Sequence, residues 1–92
     1  MDVVGLPEFL RCVRSAIRTH ADSRDVDRLL QRLAMRHAEA DMRKTRLQIP
    51  GTGIELWATA EIRLSGGVYR VTWRYEERNG DRVIVCFTLA QV

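Results

Sequence analysis

The chain is poor in the residues that announce chemistry. Of its 92 residues two are cysteine, two histidine, two proline and one lysine. Cys12 and Cys86 are far apart in sequence, which excludes both a disulfide framework and the close thiol pairs of a zinc site. His20 and His37 have no Asp or Glu at a spacing that would mark a general base, and with no His/Cys cluster neither metal nor cofactor is expected. Ser15, Ser23 and Ser65 have no nucleophile context. The glycines of "GTG" (51–53) and Gly66-Gly67 read as turns, too short for a phosphate loop. No apolar run approaches the ~20 residues of a membrane span. With no secretory leader, the expectation is a cytoplasmic chain with reduced thiols and no catalytic residues.

What is present is arginine. Fourteen of the fifteen basic residues are Arg, Lys44 being the exception, and the formal charge is +3 against twelve acids. A guanidinium stays charged at any physiological pH, and its planar fork suits phosphate and carboxylate groups. An apolar fraction of 46% and a charged fraction of 29% are those of a globular chain. The length allows one core, hence a single domain over 1–92.

The apolar period changes once, near Pro50. Before it, Leu6, Leu10, Val13 and Ile17 share one helical face, which predicts a helix over about 7–20 with Pro7 at its first position. Asp22 or Ser23 can cap a second helix over about 23–44. Its inner face holds Val26, Leu29, Leu30, Leu33 and His37, with Met35, Ala38 and Met42 as a second seam. Arg28, Arg32 and Arg36 recur every four residues and form one basic stripe.

After "IPGTG", alternation predicts strands over about 54–64, 68–77 and 81–90. A Gly66-Gly67 turn sets Leu64 opposite Tyr69, Ile62 opposite Val71 and Ala60 opposite Trp73. For the second hairpin, a three-residue Arg78-Asn79-Gly80 loop pairs Tyr75 with Val83 and keeps one face dry. A two-residue Asn79-Gly80 turn would instead pair Tyr75 with Ile84 and is disfavoured for that reason. The expected fold is therefore α+β: two N-terminal helices packed on a three-stranded antiparallel β-meander, ααβββ, in two layers. An edge strand at residues 2–4 is not favoured.

These registers leave Trp57, Glu61, Arg63, Arg70, Arg74, Arg82, Ile84 and Cys86 on the far face of the sheet. Glu61 is diagonal to Arg70 and Arg74 and would hold or neutralise them. Aromatic and arginine side chains outside a core suit interface contacts and stacking on single-stranded nucleic acid. The candidate binding residues are thus Arg70, Arg74, Arg63, Trp57 and Glu61, with the helical Arg28, Arg32 and Arg36 as a second surface. Ile84 and Cys86 on that face could seat a homodimer.

The segment "VYRVTWRYEERNGDRVIVCFTL" resembles the last strands of RelE-type mRNA-cleaving toxins. In them a helical pair precedes a meander whose strand opens with "YR" and whose D/N-G hairpin leads into a "VIVL"-like strand. The resemblance spans residues 54–90 and implies a ribosome-dependent mRNA endonuclease, with Arg63, Arg70, Arg74 and Tyr75 as nearest counterparts of the cleaving residues. The apolar "FTLAQV" stands where that family carries a basic or His/Tyr-bearing C-terminus.

Two expectations follow. The first is a small intracellular binding or inhibitor protein without its own catalysis, acting on a nucleic acid, a nucleoprotein complex or an acidic protein. Compact chains of this kind are common among phage and mobile-element inhibitors, anti-CRISPR proteins included. The alternative is a RelE-like toxin.

Overall fold

A computed structural model of residues 1–92 contains two helices and six strands: β1 (Val3–Gly5), α1 (Pro7–Ala16), α2 (His20–Arg36), β2 (Thr45–Gln48), β3 (Glu55–Ala58), β4 (Ile62–Leu64), β5 (Gly67–Arg78) and β6 (Asp81–Gln91). The strands make one mixed sheet in the order β1-β6-β5-β3-β2, with β4 also paired to β5. The class is α+β, but the three-stranded antiparallel meander is wrong. The sheet has six strands, and β1 runs parallel to β6, Val4 opposite Val85.

Both helices are shorter than their apolar period suggested. Pro7 opens α1, which stops at Ala16 because Ile17 turns extended, at ψ 116°. The reason lies five residues beyond Ile17, in Asp22. Its carboxylate accepts the N–H groups of Arg18 and Thr19 at 3.0 and 3.3 Å, while Thr19 Oγ1 accepts the Asp22 N–H at 3.1 Å. That capping box starts α2 at His20, with Thr19 as the cap in place of Asp22 or Ser23. The same carboxylate takes the N–H of Ser65 at 2.9 Å and its hydroxyl, so it ties the helix start to the β4–β5 turn. These hydrogen bonds, the Ser65 hydroxyl foremost, pull the Asp22 carboxyl down to about 2.

At its other end α2 stops at Arg36, not near 44. The residues after Arg36 fold into a turn and then β2, whose Leu47 lies opposite Leu56 of β3 across the "IPGTG" loop. Met42, in that turn, is buried, and its carbonyl accepts the Trp73 indole N–H at 2.8 Å. Met35, expected in a second seam, is 82% exposed, since the sheet covers only one side of α2.

The core lies between the helices and one face of the sheet. Phe9 and Ala16 of α1 and Val26, Leu29 and Leu33 of α2 pack with Leu64, Tyr69, Val71, Trp73, Ile84, Cys86 and Leu89. Two local choices decide which strand residues join them. Asn79 and Gly80 both have positive φ, 53° and 80°, the conformation of a two-residue hairpin turn. Tyr75 therefore pairs with Ile84 and Trp73 with Cys86, overturning the three-residue loop. A bulge between Thr72 and Trp73 then resets the register, so that Val71 pairs with Leu89 and Leu89 also reaches the core.

The second choice breaks the expected first strand. Ser65-Gly66, one position before Gly66-Gly67, makes the turn, and Ile62 and Leu64 lie opposite Tyr69 and Gly67. The register then slips by one residue, because β3 sets Trp57 opposite Trp73 and Ala58 opposite Thr72. Buried Thr59 makes the slip possible. Its N–H donates to the Val71 carbonyl at 2.9 Å, its Oγ1 accepts the Val71 N–H at 3.1 Å, and its hydroxyl donates to the Ala60 carbonyl at 2.9 Å. A side chain thus completes the ladder where the backbone leaves it. A one-residue slip exchanges the two faces, so Trp57 turns toward the helix side, while Leu56 and Ala58 are buried on the other.

Candidate functional site

The far face of the sheet holds fewer free cations than its sequence suggested. Arg70 donates to Glu61 at 3.0 Å. Arg74 does not share that acid: its Nε and Nη2 both reach Glu76 Oε2, at 3.1 and 3.0 Å, and its guanidinium lies 5.5 Å from the Phe87 ring centroid. Arg78 takes the other Glu76 oxygen at 3.5 Å. Trp57, Arg82, Ile84 and Cys86 are not on this face at all. Ile84 and Cys86 are fully buried in the helix-side core, which removes the basis for a homodimer seated on them.

The α2 stripe is also partly matched by acids. Arg28 meets Asp25 at 3.7 Å, Arg32 meets Glu39 and Asp41 at 3.0 and 3.6 Å, and Arg36 meets Glu39 at 3.3 Å. Exposed pairs of this kind contribute well under ~1 kcal/mol each, but they lower the net field of the stripe. Arg63 is brought to it: with Arg28, Arg32, Asp25, Leu29 and Ile62 it lines a shallow groove of about 270 Å³. Arg36 lies outside that groove.

The register slip assembles a different surface. On the helix side of the sheet, beyond the end of α2, the strand order sets Arg82 of β6, Tyr75 of β5, Trp57 of β3 and Arg46 of β2 in a row across four strands. Each terminal arginine lies over its neighbouring ring. The Arg82 guanidinium is 3.9 Å from the Tyr75 centroid, and that of Arg46 is 4.6 Å from the Trp57 centroid. Arg43, from the turn after α2, reaches over the middle of the row, 5.3 Å from the Tyr75 ring and 5.6 Å from that of Trp57. Its Nε donates to the His37 carbonyl at 3.2 Å and its Nη2 to the Tyr75 hydroxyl. His37 Nδ1 also meets that hydroxyl, at 2.6 Å, and its ring stands edge-on to the phenol.

The rings are half-buried and the Arg46 and Arg82 side chains exposed, so the row is open to a large ligand. Its charge balance is one-sided. Arg43 and Arg82 form no ion pair; Arg46 has only Glu55, at 3.5 Å, and both of those side chains are more than half exposed. Burial pushes the His37 imidazole below its usual value, and the positive charges of Arg43, the amino terminus and Arg82 push it further the same way. His37 is therefore neutral at pH 7.

Comparison with protein-family models, with curated proteins and with solved structures finds no match. The site is thus read from its own geometry. No helix is long and apolar enough to cross a membrane, and no group of His, Cys, Asp and Glu side chains is arranged to hold a metal. Both thiols are free, and burial pushes that of Cys86 up to about 12, which leaves it unreactive.

Of the candidate binding residues only Trp57 belongs to the row; Tyr75, named through the RelE resemblance, and Arg82, expected on the far face, join it there. His37, Arg43, Arg46, Tyr75 and Arg82 come from three separate regions, and only the register of β2, β3, β5 and β6 unites them. The one local signal for their association was the run "RKTR" at 43–46, close behind His37.

Proposed function

We propose that this chain is a small nucleic-acid-binding protein without its own catalysis, and that it holds a single strand on the Arg82–Tyr75–Trp57–Arg46 row. The observation that carries this reading is the pairing of half-buried aromatic rings with guanidiniums that lack buried carboxylate partners. The Arg82 guanidinium, stacked on Tyr75 and in no ion pair, keeps its N–H edge free; such an edge fits a phosphate while the rings and guanidinium planes offer stacking surfaces to bases. The Arg70/Arg74 face is a weaker candidate, because Glu61 and Glu76 already occupy those forks. Action inside a cell as an inhibitor of a nucleoprotein machine, in the manner of phage-encoded and anti-CRISPR proteins, is compatible with this surface and with the chain's size.

The test is fluorescence anisotropy of a labelled single-stranded RNA at several salt concentrations. Binding through phosphates weakens linearly in log–log form, with a slope of about −0.7 per phosphate contact. No RNA binding, or a flat salt response, sinks the nucleic-acid reading and turns the search toward an acidic protein partner.

A second reading is favoured by one observation: the Tyr75 hydroxyl is held between His37 Nδ1 and Arg43, an arrangement that can position a proton carrier beside a cation. It would suit an endonuclease toxin of the RelE type. Arrested growth and cut mRNA on expression, both abolished by Tyr75→Phe, would favour it over the binding reading; normal growth with intact mRNA would remove it.

A further inference from the structure

We propose that the Tyr75 cluster is a subsite for one phosphate group, and that occupation of the subsite is coupled to protonation of His37. This deepens the nucleic-acid reading and rests on it for the source of the phosphate.

The geometry supplies two cationic forks around one phenol. Arg43 and Arg82 lie 5.3 and 3.9 Å from the same ring centroid, so both guanidiniums border the one phenol against which the oxyanion is proposed to sit. The Tyr75 hydroxyl is itself a polar group at the centre, held by Arg43 and His37. The charged and titratable groups that face His37 are Arg43 from the turn, Arg82 from β6, the amino terminus and the Tyr75 phenol. The nearest acid by sheet register is Glu77, cross-strand partner of Arg82, and it forms no ion pair with that arginine.

The coupling follows from donors and acceptors. Neutral His37 can accept the phenolic proton at Nδ1. Protonated His37 can only donate there, so the phenol oxygen then receives hydrogens from both His37 and Arg43. Its own proton has to point elsewhere, and an anion between the two guanidiniums is a ready acceptor. That anion also cancels the repulsion which Arg43 and Arg82 exert on an imidazolium. Phosphate and proton therefore favour each other. The sign is fixed by linkage: affinity rises as pH falls through the window between the free and the bound titration of His37, by at most about tenfold per pH unit for one proton.

The test follows the His37 ring protons by NMR across a pH series, with His20 as an internal control. The full chain is titrated in sodium chloride, in sulfate at matched ionic strength, and with a dinucleotide. Sulfate serves as a tetrahedral oxyanion whose charge is constant over the range. The expected result is that the His37 midpoint rises in sulfate, with the dinucleotide, or both, while His20 moves equally in all three media. A rise in sulfate alone assigns the subsite to free oxyanions, and one with the dinucleotide alone assigns it to the backbone diester.

Arg82→Gln, at an exposed position that leaves the core intact, should abolish the rise. An identical His37 midpoint in all three media would overturn the proposal, as would an undiminished rise in Arg82→Gln. Binding of RNA with an unmoved His37 refutes the coupling but not the nucleic-acid reading. A raised His37 midpoint without RNA binding does the reverse.

Discussion

Replacing Thr59 by valine removes the one hydroxyl on which the placement of Trp57 depends. The side chain is fully buried; Oγ1 accepts the Val71 N–H at 3.1 Å and donates to the Ala60 carbonyl at 2.9 Å. Valine preserves the shape, so the cavity cost is small and the dominant effect is a buried N–H left without an acceptor. That costs about 1–3 kcal/mol. In a domain of this size the melting temperature should fall by about 5–20 °C. Thr59→Ser retains the hydroxyl and loses one methyl group, worth about 1 kcal/mol, and should fall less. Thermal unfolding by circular dichroism ranks the three proteins, and hydrogen exchange at the Val71 amide reports the bond itself. A Thr59→Val protein as stable as its parent, with Val71 still protected, would refute the role given to this hydroxyl.

Two further outcomes follow from single contacts. Asp22 is the most strongly hydrogen-bonded acid, its folded value of about 2 lying below the ordinary 3.8. The unfolded state therefore binds the proton more readily. Asp22 contributes stability above about pH 4 that fades as pH falls toward 2, so Asp22→Asn should flatten the acid limb of urea midpoint against pH; an unchanged limb would contradict this. At Gly5 an added Cβ would lie 2.9 Å from Phe9 Cδ2, and Phe9 is only 2% exposed. Gly5→Ala should cost about 1–3 kcal/mol by overpacking, read from the same urea titration, and a neutral effect would show that α1 is free to shift.

Much of the fold was legible where the pattern is carried by many residues at once. The helix faces of Val26, Leu29 and Leu33, and the strand face of Tyr69, Val71 and Trp73, are visible as period and alternation, and all six reach the core. The misses have local causes. β1 is three residues long, and β2 is an edge strand, "TRLQ", with one apolar side chain, so neither leaves a pattern to read. Even–odd alternation over 56–64 looked continuous because Leu56, Ala58, Ile62 and Leu64 are all buried or half-buried, yet on opposite faces. The slip that divides them rests on one threonine.

The two-residue Asn79-Gly80 turn is open to a sequence reading but disfavoured by it, because the bulge that reconciles it with a dry face leaves no pattern. A longer loop was preferred in its place, and with it Arg82 went to the wrong side. The candidate site was lost through these two errors together, since its rings and arginines share a face only in the true register. Glu61 is legible as an acid beside Arg70 and pairs with it, whereas Arg74 turns to Glu76, two residues on in its own strand.

The most direct measurement compares two double variants for affinity to a labelled single-stranded RNA across salt concentrations. Arg46→Gln with Arg82→Gln strips the row, whereas Arg70→Gln with Arg74→Gln strips the far face of the sheet. If the row binds the strand, the first pair loses affinity and its salt slope shrinks by about 0.7 for each phosphate contact removed; the second pair behaves like the parent. Equal losses in both pairs, or a loss confined to Arg70 and Arg74, would contradict a binding row built by the register slip.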